Sequence, residues 1–261
     1  MLSAFAGSLD WHSVANIAER AGLTSDSAAI SAWIRALVEK SLLVRTFDEQ
    51  GTVKLGMYEM IRRFARSRLR LCGEESSVRE AHAQWTIARA ERAETTPADR
   101  FPTTANIRLA LEWLSESGDG ERHVHLCLLA VDHWYLTGNQ HEGHAHLRRA
   151  TAWAVADAGA RARLYEELGR FARALGDTAG AADVLAVAGD EYRRFGGSDG
   201  EARCLQMLGS IRVLEQRYDD AIRLCEAALA IHRAAGDRVG MAQCLHSIAW
   251  VAIERDHRLE L

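Results

Sequence analysis

"EARCLQMLGSIR" at residues 201–212 and "MAQCLHSIAWVA" at residues 241–252 share one frame. Cys204 and Cys244, Leu205 and Leu245, and Leu208 and Ile248 each fall 40 residues apart. The register extends back to 161–200, where Ala162, Tyr165, Leu168 and Gly169 meet Ala202, Leu205, Leu208 and Gly209. Further along the unit Ala181 matches Ala221, Leu185 matches Cys225, Ala188 matches Ala228 and Gly196 matches Gly236. Within each unit the apolar spacing is helical: Ala221, Leu224, Ala228 and Ile231 form a stripe at i, i+3, i+7 and i+10. Breaks at "LGDTAG" and "EQRYDD" divide each unit into two helices, and Gly196 or Gly236 ends the second. Small residues at 169, 181, 209 and 221 leave room for the paired helices to approach closely.

A helix pair of this size cannot bury its apolar face alone, so neighbouring pairs must stack. The pattern resembles the tetratricopeptide repeat: an L-G pair in the first helix ("ELG", "MLG"), Tyr218 before the second, and alanine at its start in "DDAIRLCEAALAI". The unit of 40 residues is longer than the usual ~34 of that repeat, and Tyr165, Leu205 and Leu245 stand where its first-helix tryptophan would be. An earlier pair, within 118–158, fits with a shift of about two residues. The resemblance implies a groove lined by the first helices, with Arg163, Glu166, Arg170, Arg203, Gln206, Ser210, Gln243 and His246 facing it. Such grooves take a protein or peptide partner. The Lys/Asn set by which the family clamps a peptide carboxylate is missing at these positions.

The first hundred residues read differently. "WHSVANIAERAG" and "SAAISAWIRALVEKS" are amphipathic helices, the second capped by Ser25 or Asp26. "LLVRTF" and "TVKLG" are strands joined by "DEQG", with Gly51 available for positive φ, and "YEMIRRFARSRLRLCG" is a helix closing on Gly73. Helix, helix, hairpin and helix make a winged-helix module. The expected fold is therefore mainly α: a small winged-helix module over 1–73, a helical connector over 74–117, and an α-helical hairpin superhelix over 118–261. Its units are 118–158, 161–200, 201–240 and a partial 241–261.

"AFAGSLDWHSV", "IRALVEKSLLV", "YEMIRRFARSRL" and "ANIRLALEWL", in that order, resemble the region after the ATPase core of large bacterial STAND-type regulators, including LuxR-type and antibiotic-pathway activators. The resemblance implies that the winged helix packs on a nucleotide-binding ATPase domain and holds it closed, while the repeats sense a ligand or partner. No ATPase lies in this chain. A P-loop needs G-x-x-x-x-G-K-[ST], whereas Lys40-Ser41 is preceded by Glu39, with Ile34 in place of the first glycine. No cofactor and no catalysis are expected, since neither G-x-S-x-G nor a phosphate loop after a strand is present.

Composition limits the other classes. The chain has 261 residues, 48% of them hydrophobic and 26% charged, with a net charge of −4, which gives no general attraction to nucleic acid or an anionic membrane. No run of ~18 apolar residues occurs and no secretory signal is visible, so a cytoplasmic location is expected. Five cysteines without a CxxC pair read as small buried thiols. Arg62, Arg66 and Arg70 form a stripe suited to domain packing or phosphate contact. The would-be recognition helix buries Ile30, Trp33, Ile34, Leu37 and Val38. It then shows Ala28, Ala29, Ser31, Ala32, Arg35 and Glu39, a poor face for reading bases, so direct DNA binding is not expected.

Six histidines lie between 123 and 146, but "HEGHAH" lacks the H-E-x-x-H spacing; solvent-exposed or capping roles are expected, with no metal site. Two readings follow: a regulatory arm of a STAND-type regulator, or a free-standing repeat adaptor. The start at Met1 close to the module and the end at "VAIERDHRLEL", one helix into a unit, suggest a fragment whose last repeat is uncapped and prone to self-association.

Overall fold

The computed structural model describes residues 1–6, 9–47, 51, 53–92 and 103–259. The chain divides into two compact units, Met1–Leu136 and Thr137–Leu261. It is mainly α-helical, with one two-stranded sheet near the N-terminus among the described residues.

The first unit opens with a 3-10 turn, Leu2–Ala4, followed by α1 (Trp11–Arg20) and α2 (Ser27–Glu39). Both helices start at an aspartate. Asp10 accepts from the Ser13 amide at 2.7 Å and Asp26 from the Ala28 amide at 2.9 Å, each satisfying an amide that the first turn leaves unpaired. The strands β1 (Val44–Phe47) and β2 (Val53–Gly56) pair antiparallel, Val44 with Gly56 and Phe47 with Val53. Gly51, at φ +78°, supplies the left-handed residue of the connection; the rest of "DEQG" lies outside the described residues. Leu9 adds a bridge to Leu55, which ties the segment before α1 to the sheet. Helix α3 (Glu59–Leu71) turns at Gly73 into α4 (Glu75–Ala90), and α5 (Thr104–Glu116) and α6 (Gly120–Leu136) complete the unit.

The core of the winged helix does not stop at Gly73. Phe5, Leu9, Val14, Ile17, Ile30, Ile34 and Leu55 enclose it together with Ala81 and Trp85 of α4. Helix α6, grouped with the repeats on sequence grounds, lies in the first unit and packs on α5 and α4. One expected core residue is placed otherwise. Trp33 is 47% exposed. Ile30 and Ile34 already aim α2 at the core, and Trp33 sits at the edge of that stripe, where it lines a surface cleft.

The second unit contains α7 (Gln140–Ala150), α8 (Ala158–Ala174), α9 (Thr178–Phe195), α10 (Ser198–Leu214), α11 (Tyr218–Ala235) and α12 (Arg238–Leu259). The 40-residue period is exact in its helix starts: α8, α10 and α12 begin at 158, 198 and 238, and α9 and α11 at 178 and 218. Each helix packs on the next, and α8 also touches α10. Gly196 (φ +85°) and Gly236 (φ +70°) end α9 and α11 in the left-handed conformation expected of them. The small residues also act as expected. A Cβ on Gly169 would lie 2.6 Å from the Leu185 side chain, and one on Gly209 would lie 3.1 Å from Cys225 Sγ.

A second glycine pair, not singled out from the sequence, interlocks successive units. The Tyr192 ring lies against the first turn of α10, where a Cβ on Gly200 would be 2.2 Å from it, and the His232 ring lies equally close to Gly240 of α12. Tyr192 has little freedom to yield, because its side chain is buried and its hydroxyl donates to Glu166 Oε2 at 2.5 Å. Gly200→Ala is therefore expected to lose about 1–2 kcal/mol of stability. Overpacking costs about 1–3 kcal/mol and the gain in helix propensity returns up to about 1 kcal/mol. In a Tyr192→Ala background the same change should become neutral or stabilising. Thermal unfolding of the four proteins checks this, and equal losses in both backgrounds would rule out the interlock.

All five cysteines are free; Cys127, Cys204, Cys225 and Cys244 are buried and Cys72 is exposed. Burial pushes the Cys204 thiol up to about 12 and the Cys225 thiol up to about 11, so neither supplies reactive thiolate. A disulfide reagent is expected to label one thiol in the native protein and all five after denaturation.

Candidate interaction surfaces

On α8, Arg163, Glu166 and Arg170 follow one another at i, i+3 and i+7, and Arg203, Gln206 and Ser210 repeat that pattern on α10. The structure joins two of these residues directly. Glu166 is buried and accepts from Arg203 Nε at 2.6 Å and Nη2 at 3.0 Å, as well as from Tyr192. Arg203 also pairs with Asp199 in the first turn of α10, and its guanidinium lies 5.9 Å from the centre of the Tyr192 ring. Burial, then the bond to Glu166, raises the Tyr192 hydroxyl well above its ordinary value. The separate bond that Arg203 donates to Glu166 raises the Arg203 guanidinium. The carboxylate thus links α8, α9 and α10, and in doing so leaves Glu166 little exposed for a ligand.

The remaining groove candidates are dispersed. Arg170 pairs with Glu167 at 2.7 Å, Gln206 Nε2 lies 3.1 Å from Cys244 Sγ, and Ser210 Oγ donates to Met207 O at 2.7 Å. Arg163, Gln243 and His246 are exposed. Sequence reasoning missed Tyr192 and Asp199 as members of the network. The 40-residue frame did hold a signal, since it aligns Tyr192 with His232 and Gly200 with Gly240.

In the first unit the arginine stripe of α3 points inward at two of its three positions. Arg62 is buried and donates to Phe5 O and, at 3.2 Å, to Met57 O, and Arg66 Nε donates to Ser3 O at 2.8 Å. Arg70 holds both oxygens of Glu75, at 2.8 and 3.0 Å. These guanidiniums tie the N-terminal segment and α4 to α3. Beside them, Leu2, Leu23, Trp33, Leu37, Leu42 and Met57 line an apolar cleft of about 490 Å3.

The N-terminal segment is held a second time by a buried amide. Asn106 Oδ1 accepts from Ala6 N at 3.0 Å and lies 3.1 Å from His82 Nε2, while Asn106 Nδ2 donates to Ala6 O at 3.0 Å. His82 is buried against Phe5 and Trp85, and burial lowers it to about 4. Nearby, Glu80 of α4 accepts from Arg122 of α6 and from Trp113 Nε1 of α5, and the Arg122 bond takes its carboxyl down to about 2.

The histidines between 123 and 146 are not uniformly at the surface as expected. His123 and His133 are buried, His133 3.0 Å from Thr104 Oγ1, because α6 presents them to the interior of its unit. Among the described residues, one group brings three possible metal-ligand atoms within 4.8 Å of one another: Asp199, His232 and Asp237. Asp199 is paired with Arg203. Asp237 accepts from the Val239 amide at 3.0 Å and lies 2.9 Å from His232 Nδ1, so the group serves as helix caps and ion pairs.

No helix among the described residues is long and apolar enough to cross a membrane. Comparison with known proteins bears chiefly on the first unit. Residues 1–70 match a family model described as a winged helix-turn-helix domain. No curated protein matches the chain. Among solved structures, the chain is similar to a Signal Transduction ATPase with Numerous Domains (STAND) protein with a tetratricopeptide repeat sensor from Pyrococcus horikoshii. That match has 14% identity and a TM-score of 0.35, covering 97% of this chain and 46% of that one. BtubC from P. vanneervenii gives 13% identity and a TM-score of 0.30, with 94% and 91% covered. The chain thus spans under half the length of the STAND protein, and TM-scores this low do not establish a shared overall arrangement. What the family model and the observed elements agree on is a winged helix-turn-helix domain at residues 1–70, followed by further helices and helical repeats.

Proposed function

We propose that this chain is a non-catalytic regulatory region of a STAND-type regulator, acting in the cytoplasm. Its winged helix packs on the nucleotide-binding ATPase domain, and its repeats, of tetratricopeptide type, bind a protein or peptide signal. The observation that carries this reading is the order of parts: a winged-helix domain leads into hairpins of constant 40-residue period, the order in which the sequence resembles such regulators. Two details favour packing over DNA contact. Arg62 and Arg66 donate to carbonyls of their own unit, and the outward side of α2 is mostly apolar, with Ala28, Ala32, Trp33 and Ala36 exposed beside Arg35 and Glu39.

The test adds this chain to a separately produced STAND ATPase domain and follows nucleotide turnover. A dose-dependent fall supports the regulatory reading. No change in turnover together with retention of a peptide on the repeats would move a free-standing adaptor ahead of it.

A further inference from the structure

Helix α3 carries an apolar face on its outside. Met60, Phe64 and Leu71 are 83%, 67% and 76% exposed. At 100° per residue, steps of 4 and 7 keep them within about 40° of one another, with Ser67 between them on the same face. The helix cannot roll to hide this stripe, because Arg62, Arg66 and Leu69 fasten its opposite side to the unit. Isolated exposed apolar side chains are common, but three aligned on one fixed helix mark an interaction site. Arg63 and Arg68 border the stripe, one on each side; both are exposed, and no carboxylate among the described residues pairs with either.

We propose that this outer face of α3 docks an amphipathic helix of a partner protein whose apolar stripe is flanked by aspartate or glutamate. The reach fits: residues 60 to 71 rise about 16 Å, three turns, the length over which helices usually engage a hydrophobic surface. The charge fits as well, since acids on the partner would meet Arg63 and Arg68 at the rim while the apolar side chains meet at the centre. A nucleic acid would have to place phosphates beside Met60, Phe64 and Leu71, which offer no donor. An anionic lipid surface finds Arg63 and Arg68 here, while Arg70 is held by Glu75, on a chain of net charge −4. The proposal deepens the docking role given above to the winged helix and is independent of what the repeats bind.

The experiment uses the full chain and a fluorescein-labelled helical peptide with leucines at i, i+4, i+7 and i+11 flanked by glutamates. A peptide of the same leucines flanked by lysines is the control. The acidic peptide is expected to bind at least tenfold more tightly than the basic one. Phe64→Asp and the double variant Arg63→Glu/Arg68→Glu should each weaken it at least tenfold, with melting temperatures unchanged because all three side chains are exposed. In the charge-reversed variant the basic peptide should gain. Equal binding of both peptides, or binding unmoved by the variants, overturns the proposal. So does preferential binding of phosphatidylserine vesicles, a DNA duplex or a second copy of the chain through this face. Peptide binding with a STAND ATPase unaffected would keep the face and discard the assigned partner; turnover inhibited equally by the wild type and Phe64→Asp would keep the regulatory reading and discard the face.

Discussion

Asn106→Leu is expected to lower the stability of the Met1–Leu136 unit by about 3–5 kcal/mol. The change keeps side-chain size while removing every polar contact at a fully buried position. It strands the Ala6 amide and His82 Nε2 and leaves the Ala6 carbonyl with only the longer bond from Thr103 Oγ1, at 3.4 Å. Each stranded buried group costs about 1–3 kcal/mol, and relaxation of the N-terminal segment recovers part of the sum. Urea unfolding followed by tryptophan fluorescence measures the loss, and hydrogen exchange at the Ala6 amide locates it. A loss below about 1 kcal/mol with Ala6 still protected would mean that the segment is held chiefly by Arg62 and Arg66. Loss of Ala6 protection alone would instead place the role of Asn106 in local order.

The second large effect is a dependence of stability on pH. His82 is held neutral, taken down to about 4 by burial, against 6.5 for an ordinary histidine; Arg66 and Arg79 add to the shift and its bond to Asn106 opposes it. Between those values the unfolded chain binds a proton that the folded chain does not, so stability falls as the pH is lowered. The contribution is complete above pH 6.5, is lost progressively toward pH 4, and is constant below it. At about 1.4 kcal/mol per pKa unit the full swing is about 3 kcal/mol. Because other groups titrate in the same window, the measurement compares unfolding free energies of the wild type and His82→Gln from pH 7.5 to 4. The wild-type curve should be steeper by about that amount, and parallel curves would mean that His82 titrates normally in the folded unit.

These two effects concern residues that sequence reasoning passed over, while much of the architecture was already legible. The 40-residue period, the glycines that end α9 and α11, the cap of α2 and the two-stranded wing follow from local chemistry. Apolar spacing selects a helix, left-handed backbone selects glycine, and a short oxygen-bearing side chain satisfies a first-turn amide whatever lies farther away. The mismatch to a P-loop motif was equally local, needing only Glu39 and Ile34 beside Lys40 and Ser41.

The candidate sites were less legible. Periodicity tells which residues share a helix face, but not which neighbour covers that face. Glu166 and Arg203 were both read as lining a groove, yet Tyr192, donating from the following helix, turns Glu166 into a buried link among three helices. Arg62 and Arg66 read as a stripe for domain packing or phosphate contact because long cations usually meet solvent. Only the fold brings the carbonyls of Phe5 and Ser3 within their reach, from more than fifty residues away in sequence. Trp33 went the other way, out to the surface, since Ile30 and Ile34 already fill the core-facing side of α2. The sequence by itself determined the helices, their caps and their repeat. Tertiary structure decided which faces are shared and which remain open, because burial is a property of two elements in contact and no local pattern contains the second.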